Sequence, residues 1–204
     1  MERKIKSAYE IAMEKAANLA PMTEEQKGEL KWMPEGQKLA ARLLKSDVNI
    51  QQELKQFDSK ALPYVRQGVI QTLLANLSLP RIEADKTRHE KVLEALVKVS
   101  TDKKAMDELV GRVKYIFEQY STFGIQQINK SYADLKQQFT NYLQMEMKKQ
   151  GQYSAVPDVE SLPEFQSQVR LMRSRLEGQY EEHLSNIKEQ IKALVLGRTA
   201  GPKK

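Results

Sequence analysis

The chain has 204 residues, 40% hydrophobic and 29% charged, with nine glycines, seven prolines and no cysteine. That composition supports a packed core and excludes collagen-like or wholly disordered chains; without cysteine there is no disulfide framework, thiol nucleophile, iron–sulfur cluster or thiolate zinc site. The formal charge of +6 invites an anionic partner, but Arg198, Lys203 and Lys204 put about half of it on a basic tail over 198–204, leaving the body close to neutral.

Apolar residues recur at steps of three and four and nowhere alternate with polar ones over strand lengths, which predicts an all-α fold. A first helix is expected from Glu2 to Ala20, with Ile5, Ala8, Ala12, Ala16 and Leu19 on one stripe and Pro21 ending it. Its alanines suit close packing on a partner helix better than insertion into a bilayer. Two short helices are then expected over Met22–Leu44. Thr23 and Gln26 form a capping box for the first, Pro34 opens the second, and Trp32 seals the joint as a structural plug.

From Asn49 to Ser100 the pattern predicts one short helix and two longer ones, with Asp58 as an N-cap and Pro80 opening the last. Val65, Val69, Leu73, Leu74 and Leu77 supply one inward face; Ile82, Val92, Leu93, Leu96, Val97 and Val99 supply the next. Residues 1–100 therefore read as a compact bundle of short helices, with a hinge conceivable near Ser100.

Residues 101–197 read as a long antiparallel, coiled-coil-like hairpin. Between Thr101 and Gln150 there is no proline, and apolar positions from Met106 through Phe117, Tyr120, Gly124, Ile128, Tyr132 and Phe139 to Tyr142 keep helical spacing. The breaker-rich loop 151–163 follows. Ser161 and Glu164 resemble a capping pair for a second long helix carrying Phe165, Val169, Met172, Leu176, Tyr180, Leu184, Ile187 and Ile191, with Gly197 as its stop. An apex near Val156 puts Phe139 against Met172–Leu176, Tyr132 beside Tyr180 or Leu184, and Phe117 near Leu196. Gly124 and Gly178, inside these helices, are expected where backbones cross closely.

Chemical motifs are sparse. Asp85 and His89 share a helix face, but no Glu-x-x-His pair accompanies either histidine, so both are expected to be solvent-facing or hydrogen-bonded and no metal is assigned. No Gly-x-Ser-x-Gly turn, Walker loop or dinucleotide fingerprint occurs, so neither a catalytic residue nor a cofactor is expected and the protein is read as non-enzymatic.

Exposed arm length points instead to association. A lone two-helix arm buries one stripe per helix, which leaves Phe123, Ile125, Tyr142 and Met145 as the expected surface for a protein partner or for homo-oligomerisation. The alternative is a nucleic acid held by Lys148, Lys149, Arg170, Arg173 and Arg175 near the apex together with the tail, although Arg170 and Arg175 point to different sides. No apolar run reaches the roughly 18 residues of a membrane span. The N-terminus lacks the apolar core of a secretion signal, and Glu2, Glu10 and Glu14 argue against a transit peptide, so a cytoplasmic location without membrane contact is expected.

The stretches Lys4–Lys15, Trp32-Met-Pro-Glu-Gly-Gln-Lys-Leu-Ala40 and Leu73-Leu-Ala-Asn-Leu-Ser-Leu-Pro80-Arg81 resemble a family of uncharacterised bacterial helical proteins. The resemblance implies a bacterial cytoplasmic setting and carries no catalytic residue.

Overall fold

A computed structural model describes residues 7, 22–46, 48–151 and 157–197. All regular structure among them is helical: α1 (Glu24–Lys45), α2 (Ile50–Leu54), α3 (Leu62–Ala75), α4 (Glu83–Val99), α5 (Lys103–Gln119), a π-helical turn (Tyr120–Gly124), α6 (Ile125–Lys149), a 3₁₀ turn (Val159–Ser161) and α7 (Pro163–Leu196). The helix expected over Glu2–Ala20, the apex at Val156 and the tail from Arg198 lie outside the described residues.

The start of α1 follows its local chemistry. Thr23 Oγ1 accepts from the Gln26 N–H at 3.2 Å, and Gln26 Oε1 accepts from the Thr23 N–H at 3.0 Å. Pro34 does not open a second helix; it sits inside a single α1. Proline within a helix removes one backbone hydrogen bond and crowds the preceding turn, and here packing on both sides of it outweighs that cost. A Cβ on Gly36 would come within 2.0 Å of the Val65 carbonyl oxygen, and one on Gly68 within 2.1 Å of the Met33 carbonyl oxygen. The two glycines let α1 and α3 cross backbone to backbone on either side of Pro34, and α1 continues through it. Trp32 meets Phe57 edge-on, with ring centroids 6.3 Å apart, while Lys31 Nζ lies 4.5 Å from the Trp32 ring centre.

Asp58 caps the turn before α3 by accepting from the Lys60 and Ala61 N–H groups. Pro80 stands ahead of α4, whose start is fixed instead by the Asp85 carboxylate reaching back to the Arg81 and Ile82 N–H groups at 2.9 and 3.2 Å. Ile82 is correspondingly out of the core and exposed, whereas Val92, Leu93, Leu96 and Val99 are buried as expected.

One core runs through both halves of the chain: Leu39 and Ala40 of α1, Val65, Val69 and Leu73 of α3, Val92 and Leu96 of α4, Met106 and Val113 of α5, and Ile187 and Ile191 of α7. Ser100 lies buried in its course, its hydroxyl donating to the Asp102 carbonyl. Burying each such leucine or isoleucine contributes about 1.5–3 kcal/mol, so the proximal half of α7 is tied firmly to the short helices.

From Lys103 to Lys149 the chain is one continuous helix interrupted only by the π turn, in which the Ile125 N–H donates to the Tyr120 carbonyl. The turn has a geometric cause. Tyr120, Gly124, Ile128 and Tyr132 are spaced by three successive steps of four, which in an ideal helix would rotate the stripe by about 120°. One extra residue in a π turn cancels most of that rotation and keeps the stripe facing α7. Gly124 lies at this contact: a Cβ there would stand 3.2 Å from the Tyr180 ring. Gly178 has open space around it, so close crossing does not explain it.

The helices fold back antiparallel, in a register different from the symmetric one. Tyr120 packs edge-on to Tyr180 at 5.4 Å, Arg112 donates to Gln190 at 2.7 Å, and Tyr132 and Phe139 both meet Phe165, at 5.6 and 5.3 Å. Tyr180 therefore faces Tyr120 instead of Tyr132, a shift of about 18 Å along the helix. Phe117 stacks on His89 at 4.7 Å rather than approaching Leu196. The connecting segment causes the shift. Val159 is buried, and Glu160 accepts from Tyr132 and Lys136 at 2.7 and 2.6 Å, so Pro157–Leu162 runs back along α6 before α7 begins. Ser161 belongs to the 3₁₀ turn and donates to the Asp158 carbonyl; Leu162 precedes Pro163 at the helix start. Gly197, at φ 64°, ends α7 in the left-handed region as expected.

Candidate functional site

The arm changes character along its length. In α7, Glu177 at the base of the arm and Leu184, Ile187, Ile191 and Val195 beyond it toward the core are all buried; toward the tip only Phe165 is. Along α6, Ile128 alone is buried. The distal seam of Tyr132, Leu135, Phe139 and Leu176 is half-buried, covered from one side by the facing helix. Beside it an open groove of about 410 Å³ runs between α6 and α7, with Leu135, Leu171 and Met172 along it and Asp134 and Arg175 at its rims.

Of the four expected partner-surface residues, Phe123, Tyr142 and Met145 are 58%, 62% and 60% exposed. Ile125 is not part of that surface: it is half-buried and packs on the core, because the π turn rotates it inward. Phe123 lies at the π turn, about 30 Å along the helix from Tyr142 and Met145, so they form two patches. Leu171, 62% exposed, is an arm residue that the helical stripe did not single out.

All five expected anion-binding residues are exposed, but only Lys148 and Lys149 lie at the tip: with Phe165 facing Tyr132 and Phe139, and Tyr180 facing Tyr120, Arg170, Arg173 and Arg175 stand level with the first turns of α6. Lys149 pairs with Glu146 at 2.7 Å, and that contact raises the ammonium pKa. Among the described residues no ion pair holds Lys148, Arg170, Arg173 or Arg175, and Arg175 alone of the three arginines lines the α6–α7 groove. The five cations fall into two groups about 30 Å apart along the arm and do not converge on one point.

Two buried polar features escaped sequence reading. At the base of the arm Glu177 is 4% exposed; its carboxylate accepts from Tyr120 Oη at 2.8 Å and from Arg81 at 2.6 Å. Burial, reinforced by the bond to Glu177, pushes the Tyr120 phenol up to about 12. Beside this cluster His89 is buried, with Nε2 accepting from the Ser78 N–H at 3.4 Å and Nδ1 unpartnered. Burial, helped by Arg88, lowers the His89 pKa. Its helix neighbour Asp85 is occupied by the Arg81 and Ile82 backbone and by Arg88 at 2.8 Å, so the two do not act as a ligand pair. Lys188 donates to the Leu77 carbonyl, and burial lowers its pKa. His183 is exposed. Glu177 lies in a run of polar residues, and only the Tyr120–Gly124–Ile128–Tyr132 spacing hinted at an irregular turn opposite it.

Among the described residues no group of three or more histidine, aspartate or glutamate side chains could hold a metal, and no helix is long and apolar enough to cross a membrane. A family model, described as a family of unknown function (DUF6657), matches residues 51–193. The chain belongs to this family. The DUF6657 match takes in α3 to α6, the Arg81–Tyr120–Glu177 cluster and nearly all of α7, while α1 lies ahead of it. No curated protein and no solved structure matches the chain.

Proposed function

We propose that the protein is a non-enzymatic helical interaction protein of the bacterial cytoplasm, which associates with a protein partner or with itself through the distal half of its coiled-coil-like hairpin. The observation carrying this reading is the one-sided seam of the arm. Beyond Ile128 the two helices are covered only by each other and by the Val159–Ser161 turn, yet Leu171 on the open α6–α7 groove and Tyr142 and Met145 farther along α6 stand more than half exposed. Monomeric surfaces rarely collect such residues without a partner to cover them, and a third or fourth helix laid along the groove would do so.

The test is sedimentation velocity and chemical cross-linking of the full chain against the triple variant Tyr142→Ser, Met145→Ser and Leu171→Ser. Loss of self-association or of partner cross-links in the variant, with unchanged helical circular dichroism, supports the reading. Association identical in wild type and variant overturns it.

A second reading is favoured by the exposed arginines along the side of the arm, which no ion pair holds among the described residues. In it Arg170, Arg173 and Arg175, with Lys148 and Lys149, hold nucleic-acid phosphate. Such binding would weaken steeply as salt rises.

A further inference from the structure

A single peptide unit is held from both sides where the short helices meet the base of the arm. Its carbonyl, at Leu77, accepts from Lys188 of α7, and its N–H, at Ser78, donates to His89 Nε2 of α4 at 3.4 Å. A few residues on, Arg81 reaches Glu177, so the segment between α3 and α4 carries two polar ties to α7. An imidazole that accepts at Nε2 is neutral and keeps its proton on Nδ1. His89 is 1% exposed, and that Nδ1 has no partner among the described residues.

A second proton has no place on the ring as it lies, because on Nε2 it would set one N–H against another. The surroundings oppose the charge too. Burial is the largest influence holding the His89 pKa down, and Arg88 and Lys188 add to it. Asp85 is the charge that favours protonation, and it is already held by Arg88 and by the Arg81 and Ile82 N–H groups. From α5 the uncharged Phe117 ring stacks on the imidazole. A charged ring has a way out: His89 also lines the open α4–α5 cleft, where Glu90 and Glu118 stand with Lys86 and Lys114.

We propose that His89 is an acid-operated latch. Neutral, it holds the Ser78 N–H; protonated, it turns out toward the α4–α5 cleft and frees the Leu77–Ser78 peptide, which loosens the grip of Lys188 and with it the base of the arm. Leu77 and Leu79 are buried on either side of Ser78. The change is therefore confined to this peptide and its two side-chain partners, and the core stays folded.

Nuclear magnetic resonance of the isotope-labelled full chain tests this. The His89 ring and the Ser78 amide should titrate together, with a midpoint below the ordinary value of about 6.5. Across that midpoint the protection of the Ser78 amide from hydrogen exchange, corrected for the intrinsic rate, should fall at least about tenfold while that of Leu96 in α4 holds. Lys188→Gln keeps a donor for the Leu77 carbonyl without the charge and should raise the midpoint. His89→Phe, verified as folded by circular dichroism, should leave Ser78 unprotected at every pH. Ser78 protection that ignores pH in the wild type, or a midpoint unmoved by Lys188→Gln, overturns the proposal. Protection lost equally at Ser78 and Leu96 also overturns it, since acid then acts by unfolding the whole chain.

Discussion

Tyr120 donates its phenolic hydrogen bond to Glu177 at 2.8 Å, joining the π turn of the first long helix to the middle of the second. Arg81, just ahead of α4, reaches the other oxygen of the same carboxylate at 2.6 Å, so one buried group fastens three segments where the arm leaves the core. A buried carboxylate that loses a donor keeps its desolvation cost. Tyr120→Phe should therefore lower stability by about 1.5–3 kcal/mol, read as a reduced midpoint in urea unfolding. Arg81 is 57% exposed, and water can replace it, so Arg81→Ala should cost less. A double-mutant cycle should show coupling between the two, because both act on Glu177.

The glycines divide by what surrounds them. Gly36→Ala and Gly68→Ala each drive a methyl group into a facing backbone carbonyl that cannot move aside. Overpacking of this kind costs about 1–3 kcal/mol or more. Gly111 and Gly178 lie in helices with nothing within 4 Å of a new Cβ. Replacing either with alanine should stabilise by up to about 1 kcal/mol. Thermal melting of the four variants should split them into two pairs of opposite sign.

The buried histidine sets a response to acid. Burial holds the folded-state pKa of His89 below its ordinary value of about 6.5. As pH falls below that value the unfolded chain takes up a proton that the folded one resists, so stability declines between the ordinary and the lowered pKa. Asp85, held low by the Arg81 and Ile82 N–H groups, acts only in the more acidic carboxylate range. Melting temperature should drop from pH 7 toward pH 5 in the wild type, with a shallower slope in His89→Gln. At the alkaline end the sign reverses. The Tyr120 phenol titrates at about 12 in the folded chain against an ordinary value of 10.0, so stability should fall with rising pH across that window, and less in Tyr120→Phe.

Arg170, Arg173 and Arg175 provide a prediction that separates the two functional readings. If the arm serves protein association, duplex DNA or single-stranded RNA should bind no tighter to the wild type than to the triple alanine variant at physiological salt. Fluorescence anisotropy across salt measures this; a steep salt dependence that the variant flattens would favour the nucleic-acid reading.

The parts of the fold legible in the sequence are those fixed by neighbours along the chain. Thr23 with Gln26 marked the start of α1, Gly197 the end of α7, and the valine and leucine stripe of α3 its buried face, because each depends on a few consecutive residues. What escaped depends on distant contacts. Pro34 reads locally as a helix start, yet α1 continues through it beside the glycine crossing with α3. The hairpin register follows from the bonds of Glu160 to Tyr132 and Lys136, which draw the connecting segment back along α6, and no local pattern encodes that turn. Glu177 looks like a solvated charge until Tyr120 and Arg81 are brought to it. Along the arm, exposure of Phe123, Tyr142 and Met145 was readable from helical phase; the inward turn of Ile125 was not, since phase fails across the π turn.

The fold-back of α7 on α6 underlies the groove, the one-sided seam and the exposed tip. Gln138 and Gln168 line that groove from opposite helices, both exposed, and a chain without cysteine accepts spin labels at these two positions alone. Double electron–electron resonance on Gln138→Cys with Gln168→Cys, diluted with unlabelled protein, should give one narrow distance below about 20 Å, as expected for helices packed about 8–10 Å apart. A broad distribution, or a distance beyond about 30 Å, would contradict the hairpin and everything built on it.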